Sequence, residues 1–305
     1  MIKTKDGVYV IGIDHGYGNI KTANTVTPTG ITAYDSEPTF SGNVLESGGV
    51  YFTIGEGHKA YIINEAEGED YFHITQYAIA RELARENITE ADVHIAAGLP
   101  LTWVRTQRDS FREYLMQQEH MEFTLNKKHF SVRIVGCNVY PQGYPAIINK
   151  LSEMNGTTML ADIGNGTMNI MYFLNRRPIE SKCYTEKMGV NQCLIAAKNE
   201  VMNRYGVTID DTIIEQIIST GKADISQKYL DTIRTVISAY CSRIFETLKK
   251  YEYDSDLMRL FIVGGGARVI RGFGKYDADG VTIVDDICAA AKGFEYLASL
   301  QLAKR

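Results

Sequence analysis

One short pattern, D-x-G-x-G, occurs twice in the 305 residues and most limits what the chain can fold into. Asp14 begins the first copy and Asp162 begins the second, about half the chain further on. Each copy directly follows an apolar run rich in β-branched residues, which is typical of a buried strand. Each is followed by a segment that can return as the second strand of a hairpin. The sequence therefore predicts two related halves, each with a strand that ends in a glycine-rich turn.

Strands and helices alternate along the rest of the chain, which predicts an α/β fold. The length suggests two domains. The predicted strands are Val8–Asp14, Val93–Gly98, Ser131–Val139, Thr157–Ile163, Met168–Phe173, Pro178–Tyr184 and Leu260–Val263. The predicted helices are Gln76–Glu86, Thr106–Gln118, Ala146–Met154, Asn191–Tyr205, Asp210–Ser219, Gln227–Lys250 and Ile287–Leu302.

Charge and composition exclude several classes of protein. The formal net charge is −5, which disfavours direct nucleic-acid binding because such proteins usually carry a basic face. No apolar run approaches a membrane helix in length, and the N-terminal apolar run is too short for a signal peptide, so we expect a cytoplasmic protein. The five cysteines are widely spaced and form no C-x-x-C motif, which disfavours both disulfides and zinc.

The two turns suggest a phosphate site. Successive backbone N–H groups in a glycine-rich turn form a nest that binds phosphate oxygens. The leading carboxylates, Asp14 and Asp162, would repel phosphate, so they make sense beside Mg²⁺, its water shell or an attacking water. Lys21 can neutralise phosphate charge. A single copy would be read as an ordinary Asp-led turn, but two copies, each after a strand, favour the phosphate site.

A third glycine-rich element lies near the end of the chain, where an apolar strand runs into Gly264, Gly265 and Gly266. Glycines there would let a base or a ribose lie against the backbone. The dinucleotide fingerprint G-x-G-x-x-G fails because Val269 stands at its third glycine. The Walker A loop is also absent, because Ala223 follows Gly221 and Lys222. A nucleotide is therefore expected, but neither in a Rossmann crevice nor on a P-loop.

In this order the motifs resemble those of the actin, sugar kinase and chaperone ATPase superfamily. The two turns look like its phosphate motifs, and the triple glycine looks like its adenosine motif. Val139–Ala146 and Asp286–Phe294 look like its two connecting motifs. The pattern D-x-G-x-x-N-x-K from Asp14 and the Gly-Leu-Pro-Leu run from Gly98 are most similar to the ParM-like bacterial actins, which segregate plasmids.

The resemblance implies two ribonuclease-H-like domains that flank a nucleotide cleft. It implies a first domain of residues 1–143 completed by 286–305, and a second of residues 144–285. It also implies an ATPase that binds ATP, or GTP, with Mg²⁺ and polymerises into dynamic filaments of its own copies. The plasmid would be held by a DNA-binding adaptor protein (ParR-like), so no direct nucleic-acid or membrane contact is expected.

The resemblance also implies a role for each residue of the motifs. Asp14 and Asp162 would hold magnesium or its water, and Gln142 would orient the attacking water. Gly264, Gly265 and Gly266 would face the base and the ribose, with Gly189, Asn191 and Lys222 as further candidates for the ribose. The phosphates would be cradled by Gly16, Tyr17, Gly18, Asn19 and Lys21 in the first turn and by Gly164, Asn165, Gly166 and Thr167 in the second.

Some features remain open or point to structural roles. Asn165 stands where some actins carry Asp, which leaves the hydrolysis rate open. His15 is expected to be solvent-exposed beside the phosphates, and the acidic segment Glu65–Asp70 is expected to be a solvated loop. A small-molecule kinase of the same superfamily is the main alternative, although neither a sugar-binding insertion nor a zinc loop is found. The length disfavours the larger chaperones.

Overall fold

The computed structural model describes residues 1–39, 42–56 and 69–304, and the chain forms two compact units. The first unit is Met1–Ile148 with Cys288–Arg305, and the second is Asn149–Ile287. The strands are β1 (Ile2–Lys3), β2 (Tyr9–His15), β3 (Asn19–Lys21), β4 (Val26–Pro28), β5 (Ile31–Tyr34), β6 (Val44–Ser47), β7 (Val50–Ile54), β8 (Glu90–Leu99), β9 (His120–Leu125), β10 (Lys128–Pro141), β11 (Thr157–Ile163), β12 (Met168–Leu174), β13 (Arg177–Glu186), β14 (Arg259–Val263) and β15 (Val281–Ile283). The α-helices are α1 (Glu69–Arg85), α2 (Leu101–Leu115), α3 (Val190–Tyr205), α4 (Asp211–Thr220), α5 (Gln227–Lys250), α6 (Gly266–Phe273) and α7 (Ala289–Leu302).

The first unit is built on a mixed sheet whose described strands run in the order β4-β3-β2-β8-β10-β9-β6-β7-β5, with β1 paired to β2. The central strands β2, β8 and β10 are parallel, and β2 and most of β8 are buried on both sides, so helices cover both faces there. Ile11 and Ile13 of β2 share a core with helices α1 and α2. Val10, on the opposite face, packs with Phe294 and Ala298 of α7. The C-terminal helix thus completes the first unit.

Helix α7 is anchored to β2 by a buried carboxylate. The backbone N–H of Gly12 donates to Oε1 of Glu295 at 3.1 Å, and the Met1 ammonium lies 3.5 Å from the same oxygen. Burial raises the pKa of Glu295 to about 7, although the Met1 ammonium and the Gly12 N–H lower it. Within the folded protein this carboxyl therefore holds a proton at a pH where the unfolded chain has lost it.

Replacing Glu295 with glutamine is expected to change how stability depends on pH. A raised folded pKa means that wild-type stability falls as pH rises from about 4.5 to about 7. The glutamine side chain keeps the acceptor for Gly12 but cannot ionise. The stability of Glu295→Gln relative to wild type should therefore improve by up to about 3 kcal/mol across that interval, measured by urea unfolding at several pH values. A difference that stays constant with pH would show that Glu295 does not titrate in this way.

The second unit contains a smaller sheet, in the order β13-β12-β11-β14-β15 for the described strands. Strands β11 and β14 are parallel, and β12 returns antiparallel beside β11. The apolar face of α5, including Ile233, Ile237 and Ile244, packs with Ile163 at the end of β11. Helix α4 is capped by Asp210, whose carboxylate accepts the Thr212 N–H at 2.9 Å.

Most predicted elements are confirmed, and α5 has the predicted bounds. The segment predicted as helix Ala146–Met154 forms a 3-10 helix over Tyr144–Glu153. Helix α6 was not predicted, because three glycines stand at its start and glycine is unfavourable in a helix. Residues 65–68 of the acidic segment lie outside the described residues, and Glu69 and Asp70 begin α1 instead of ending a loop. Among the described helices, none combines the length and apolar character needed to cross a bilayer.

Candidate functional site

The first glycine-rich turn joins β2 to β3 and holds Asp14 beside two polar partners. Asp14 and Lys21 lie opposite each other in the hairpin, and Nζ of Lys21 is 2.7 Å from Oδ2 of Asp14. Nε2 of Gln142 donates to Oδ1 of the same carboxylate at 3.3 Å. Gln142 reaches it because its own N–H donates to the carbonyl oxygen of Leu99, where β8 and β10 end together. Three predicted site residues, Asp14, Lys21 and Gln142, therefore meet at the carboxyl ends of the central strands.

The backbone of the first turn is fixed by its carbonyl groups. The N–H of Thr29 donates to Gly18 O at 3.1 Å, and Oγ1 of Thr29 donates to Tyr17 O at 2.6 Å. A β-carbon at Gly16 would lie 2.8 Å from the carbonyl oxygen of Asn19, so the turn requires glycine there. The sequence did not indicate Thr29, because it follows two further strands, β3 and β4, and belongs to no motif.

His15 is buried, and the expectation that it faces solvent beside the phosphates is wrong. Its side chain is only 2% exposed and packs edge-on against Phe111. Nε2 lies 2.8 Å from Oγ1 of Thr75 on α1. Burial lowers the pKa of His15 to about 4, so the ring is neutral near pH 7. The alternation of a strand explains the error, since His15 is the last residue of β2 and points opposite to Asp14.

The second turn joins β11 to β12 and is held by the N-terminus of α3. Gly164 closes the turn by donating its N–H to Thr167 O at 2.8 Å. The carbonyl oxygens of the turn accept hydrogen bonds from Gly189 to Gly166 at 3.3 Å, from Val190 to Gly164 at 3.0 Å and from Asn191 to Asn165 at 2.9 Å. Within the described residues, the amides of Asn165 and Gly166 donate no hydrogen bond. Two adjacent unbonded amides are what an anion nest requires.

This contact also explains Gly189, which was a candidate for contacting ribose. A β-carbon at Gly189 would lie 2.1 Å from Asn165 O, so the glycine allows the close approach of α3 to the turn. Gly189 and Asn191 thus act here by fixing the turn through their backbone N–H groups.

Asp162 lies near the end of β11, opposite Asn169 of β12 on one side and Val263 of β14 on the other. Asn169 is buried, and its Oδ1 accepts a hydrogen bond from Oγ1 of Thr185 at 2.8 Å. The strand paired with β11 at Asp162 is therefore itself joined to β13 by a side-chain hydrogen bond.

The triple glycine packs directly against the second turn. Gly264 has φ = +81°, and a β-carbon there would lie 2.6 Å from both Oδ1 of Asp162 and the carbonyl oxygen of Ile163. A β-carbon at Gly266 would lie 2.2 Å from Cγ2 of Ile163, whereas Gly265 has open space. Gly264 and Gly266 are therefore required by packing on β11, and the β-carbon position of Gly265 alone of the three is open.

The donor set fits magnesium only if the ion keeps several waters. In the part of the chain that the structure describes, no group of three His, Cys, Asp or Glu side chains is placed to hold a metal. Mg²⁺ bound with a nucleotide usually needs only one or two carboxylates, together with water and phosphate oxygens. The single carboxylate of Asp14, oriented by Lys21 and Gln142, is suited to that water-rich binding.

Two units, each with a buried strand that ends in a glycine-rich turn and a returning hairpin, define the two-domain actin-like fold. The chain belongs to the actin-like proteins. Residues 12–144 match the family of actin-like protein N-terminal domains, and residues 160–273 match the C-terminal domain of archaeal MreB-like actin homologues. No curated protein shows significant similarity to the chain.

Solved structures of actin homologues have the same fold over nearly the whole chain. The archaeal actin homologue Ta0583 has a TM-score of 0.78 at 18% identity, over 96% of this chain and 100% of that one. A 15-stranded ParM filament from Clostridium botulinum has a TM-score of 0.74 at 18% identity, over 96% and 99%. Bacillus thuringiensis ParM with ATP has a TM-score of 0.71 at 14% identity, over 98% and 100%.

Proposed function

We propose that this protein is a ParM-type ATPase that binds Mg-ATP and assembles into dynamic filaments. The observation that carries the proposal is the pair of turns, each with glycines, a carboxylate at a strand end and a rigid backbone frame. Actin homologues of the same fold support it, since Ta0583 was solved in complex with ADP and B. thuringiensis ParM with ATP. GTP is the other nucleotide that such turns would accept.

In this proposal both turns bind the phosphate chain. Gly16, Tyr17, Gly18 and Asn19 would line the phosphates from the first unit, and Lys21 would add positive charge. Gly164, Asn165, Gly166 and Thr167 would line the phosphates from the second unit, where the amides of Asn165 and Gly166 donate no hydrogen bond to any described residue. Gly264, Gly265 and Gly266 would then lie near the nucleoside, with Gly265 the most open to it.

Hydrolysis needs an oriented water and stabilisation of the charge on the phosphate that is transferred. Magnesium, when bound, would supply positive charge between the phosphates. Asp14 would hold its water shell, and Lys21 would keep that carboxylate in place. Gln142 would position the attacking water, since its amide is already fixed against Asp14. Asp162 would polarise that water or hold a water of the metal.

The proposed partners are further copies of the same chain, in a homopolymer. The C. botulinum ParM filament of the same fold supports self-association. We further propose that a DNA-binding, ParR-like adaptor couples the cytoplasmic filament to a plasmid or another DNA, which would leave this chain without direct nucleic-acid contact. The net charge of −5 is compatible with a filament protein that leaves DNA binding to the adaptor.

Assembly with Mg-ATP tests this function directly. Light scattering should rise above a critical protein concentration after Mg-ATP is added, and negative-stain micrographs should show filaments. No rise is expected without nucleotide or with EDTA, because the phosphate chain and its metal would link the two turns. A protein that stays monomeric with Mg-ATP and Mg-GTP over a wide concentration range, or that phosphorylates a sugar in a coupled assay, would overturn the proposal.

A further inference from the structure

Strand β10 has an open edge along its second half. Strand β9 pairs with it only from Lys128 to Arg133, and the N–H of Ile134 makes the last bond on that side, to Glu119 O at 2.7 Å. A register shift follows between Ile134 and Gly136. From there to Pro141, β10 pairs with β8 alone among the described strands.

The alternation of the strand shows which backbone groups lie on the open side. The Gln142 N–H donates to Leu99 O of β8, so the N–H groups of Tyr140 and Asn138 also point toward β8. The N–H groups of the alternate residues Cys137 and Val139 therefore point away from β8. No described strand lies on that side. An unpaired edge of this kind is a template for another strand.

A groove runs along this open edge. It encloses about 1050 Å³ and is lined only by residues of the first unit. The edge of β10 forms its floor, α2 forms one wall through Arg108, Arg112 and Met116, and the last turn of α7 lies on the opposite side. Val135, an apolar side chain on the floor, is 41% exposed. The groove therefore combines unpaired backbone with apolar surface, as strand-binding sites do.

The groove is positively charged. Lys3, Lys5, Arg108 and Arg112 line it, against only two carboxylates, Asp6 and Asp109. Arg108 and Arg112 stand one helical turn apart on the same face of α2. Neither forms a salt bridge with any residue that the structure describes, and both are exposed. Their charge is thus available to a bound molecule.

We propose that this groove binds an extended acidic peptide segment of a partner protein, which adds to the sheet as a strand beside β10. The backbone of Cys137 and Val139 would pair with the peptide, and Arg108 and Arg112 would select its carboxylates. An elongated strand edge suits a peptide better than a compact ligand, because only an extended backbone satisfies a row of amides. The inference does not depend on nucleotide binding, since no motif residue of the two turns lines the groove.

A fluorescent peptide of alternating glutamate and valine, about nine residues long, tests this with the full chain. A diastereomer with every second residue in the D form keeps its composition and charge but lacks the twist and the side-chain alternation of an all-L strand, so it should pair poorly with β10. The all-L peptide should bind at least about tenfold more tightly than the diastereomer or a lysine–valine peptide. Its binding should also slow hydrogen exchange at the Cys137 and Val139 amides.

Charge reversal on α2 provides the matched comparison. The double variant R108E/R112E should weaken binding of the acidic peptide by about tenfold or more, and the affinity should fall with added salt. Arg105→Glu changes an exposed arginine of the same helix that does not line the groove, and it should alter the affinity by less than about twofold. Equal binding of the diastereomer, an unaffected double variant or unchanged exchange at Cys137 and Val139 would each overturn the proposal.

Discussion

Replacing Asp162 with alanine is expected to slow ATP hydrolysis by about a hundredfold or more while assembly is retained, so the polymers persist. The side chain lies near the end of β11, where the second turn begins, and Gly264 packs against its Oδ1. Alanine removes the carboxylate that would polarise the attacking water, but it leaves the backbone amides of Asn165 and Gly166, which would bind phosphate, in the turn. Phosphate release and light scattering, followed together after Mg-ATP is added, measure the two effects.

Two further variants separate chemistry from folding. Asp162→Asn keeps the size and the packing against Gly264 but lacks the charge, so it should be as slow as the alanine variant. Asp224→Ala removes an exposed carboxylate of the same unit and should behave as wild type. If Asp162→Ala filaments disassembled as fast as wild-type filaments, the role given to Asp162 would be incorrect.

The local parts of the fold could be predicted from the sequence because their signals lie within single segments. The apolar positions of α5 recur at helical spacing over 24 residues, so both of its ends could be located. The turns at Asp14 and Asp162 each combine a buried strand with glycines over a few residues. The two turns resemble each other and lie about half a chain apart. This resemblance indicates two related units, which neither turn could indicate alone.

Other features depend on contacts between distant segments, and no local pattern records them. Thr29 supports the first turn through its backbone N–H and its hydroxyl, and the N-terminus of α3 supports the second through backbone N–H groups. The burial of His15 depends on Thr75 and Phe111, which lie on other elements. The open edge of β10 likewise follows from where β9 stops pairing, because strand partners are set by the tertiary fold.

Gly12→Ala is expected to destabilise the first unit by about 3 kcal/mol or more, the largest stability effect that we predict for one methyl group. Gly12 lies on the face of β2 that α7 covers. A β-carbon there would lie 1.9 Å from the carbonyl oxygen of Ala291 and 2.8 Å from its carbon. Because these are backbone atoms of a buried helix, no rotamer change can make room, and α7 would have to move off the sheet. Urea unfolding of wild type and variant measures the loss.

A second glycine on the same face tests whether the backbone is the cause. A β-carbon at Gly98 would lie 2.1 Å from Cζ of Phe294, a side-chain atom, so Gly98→Ala should be partly rescued by Phe294→Leu. Gly12→Ala should gain nothing from Phe294→Leu, because its obstacle is the α7 backbone. Gly42→Ala serves as the control, since a β-carbon at Gly42 has no neighbour within 4 Å, and it should change stability little. A Gly12→Ala protein as stable as Gly42→Ala would mean that α7 does not pack this closely on β2.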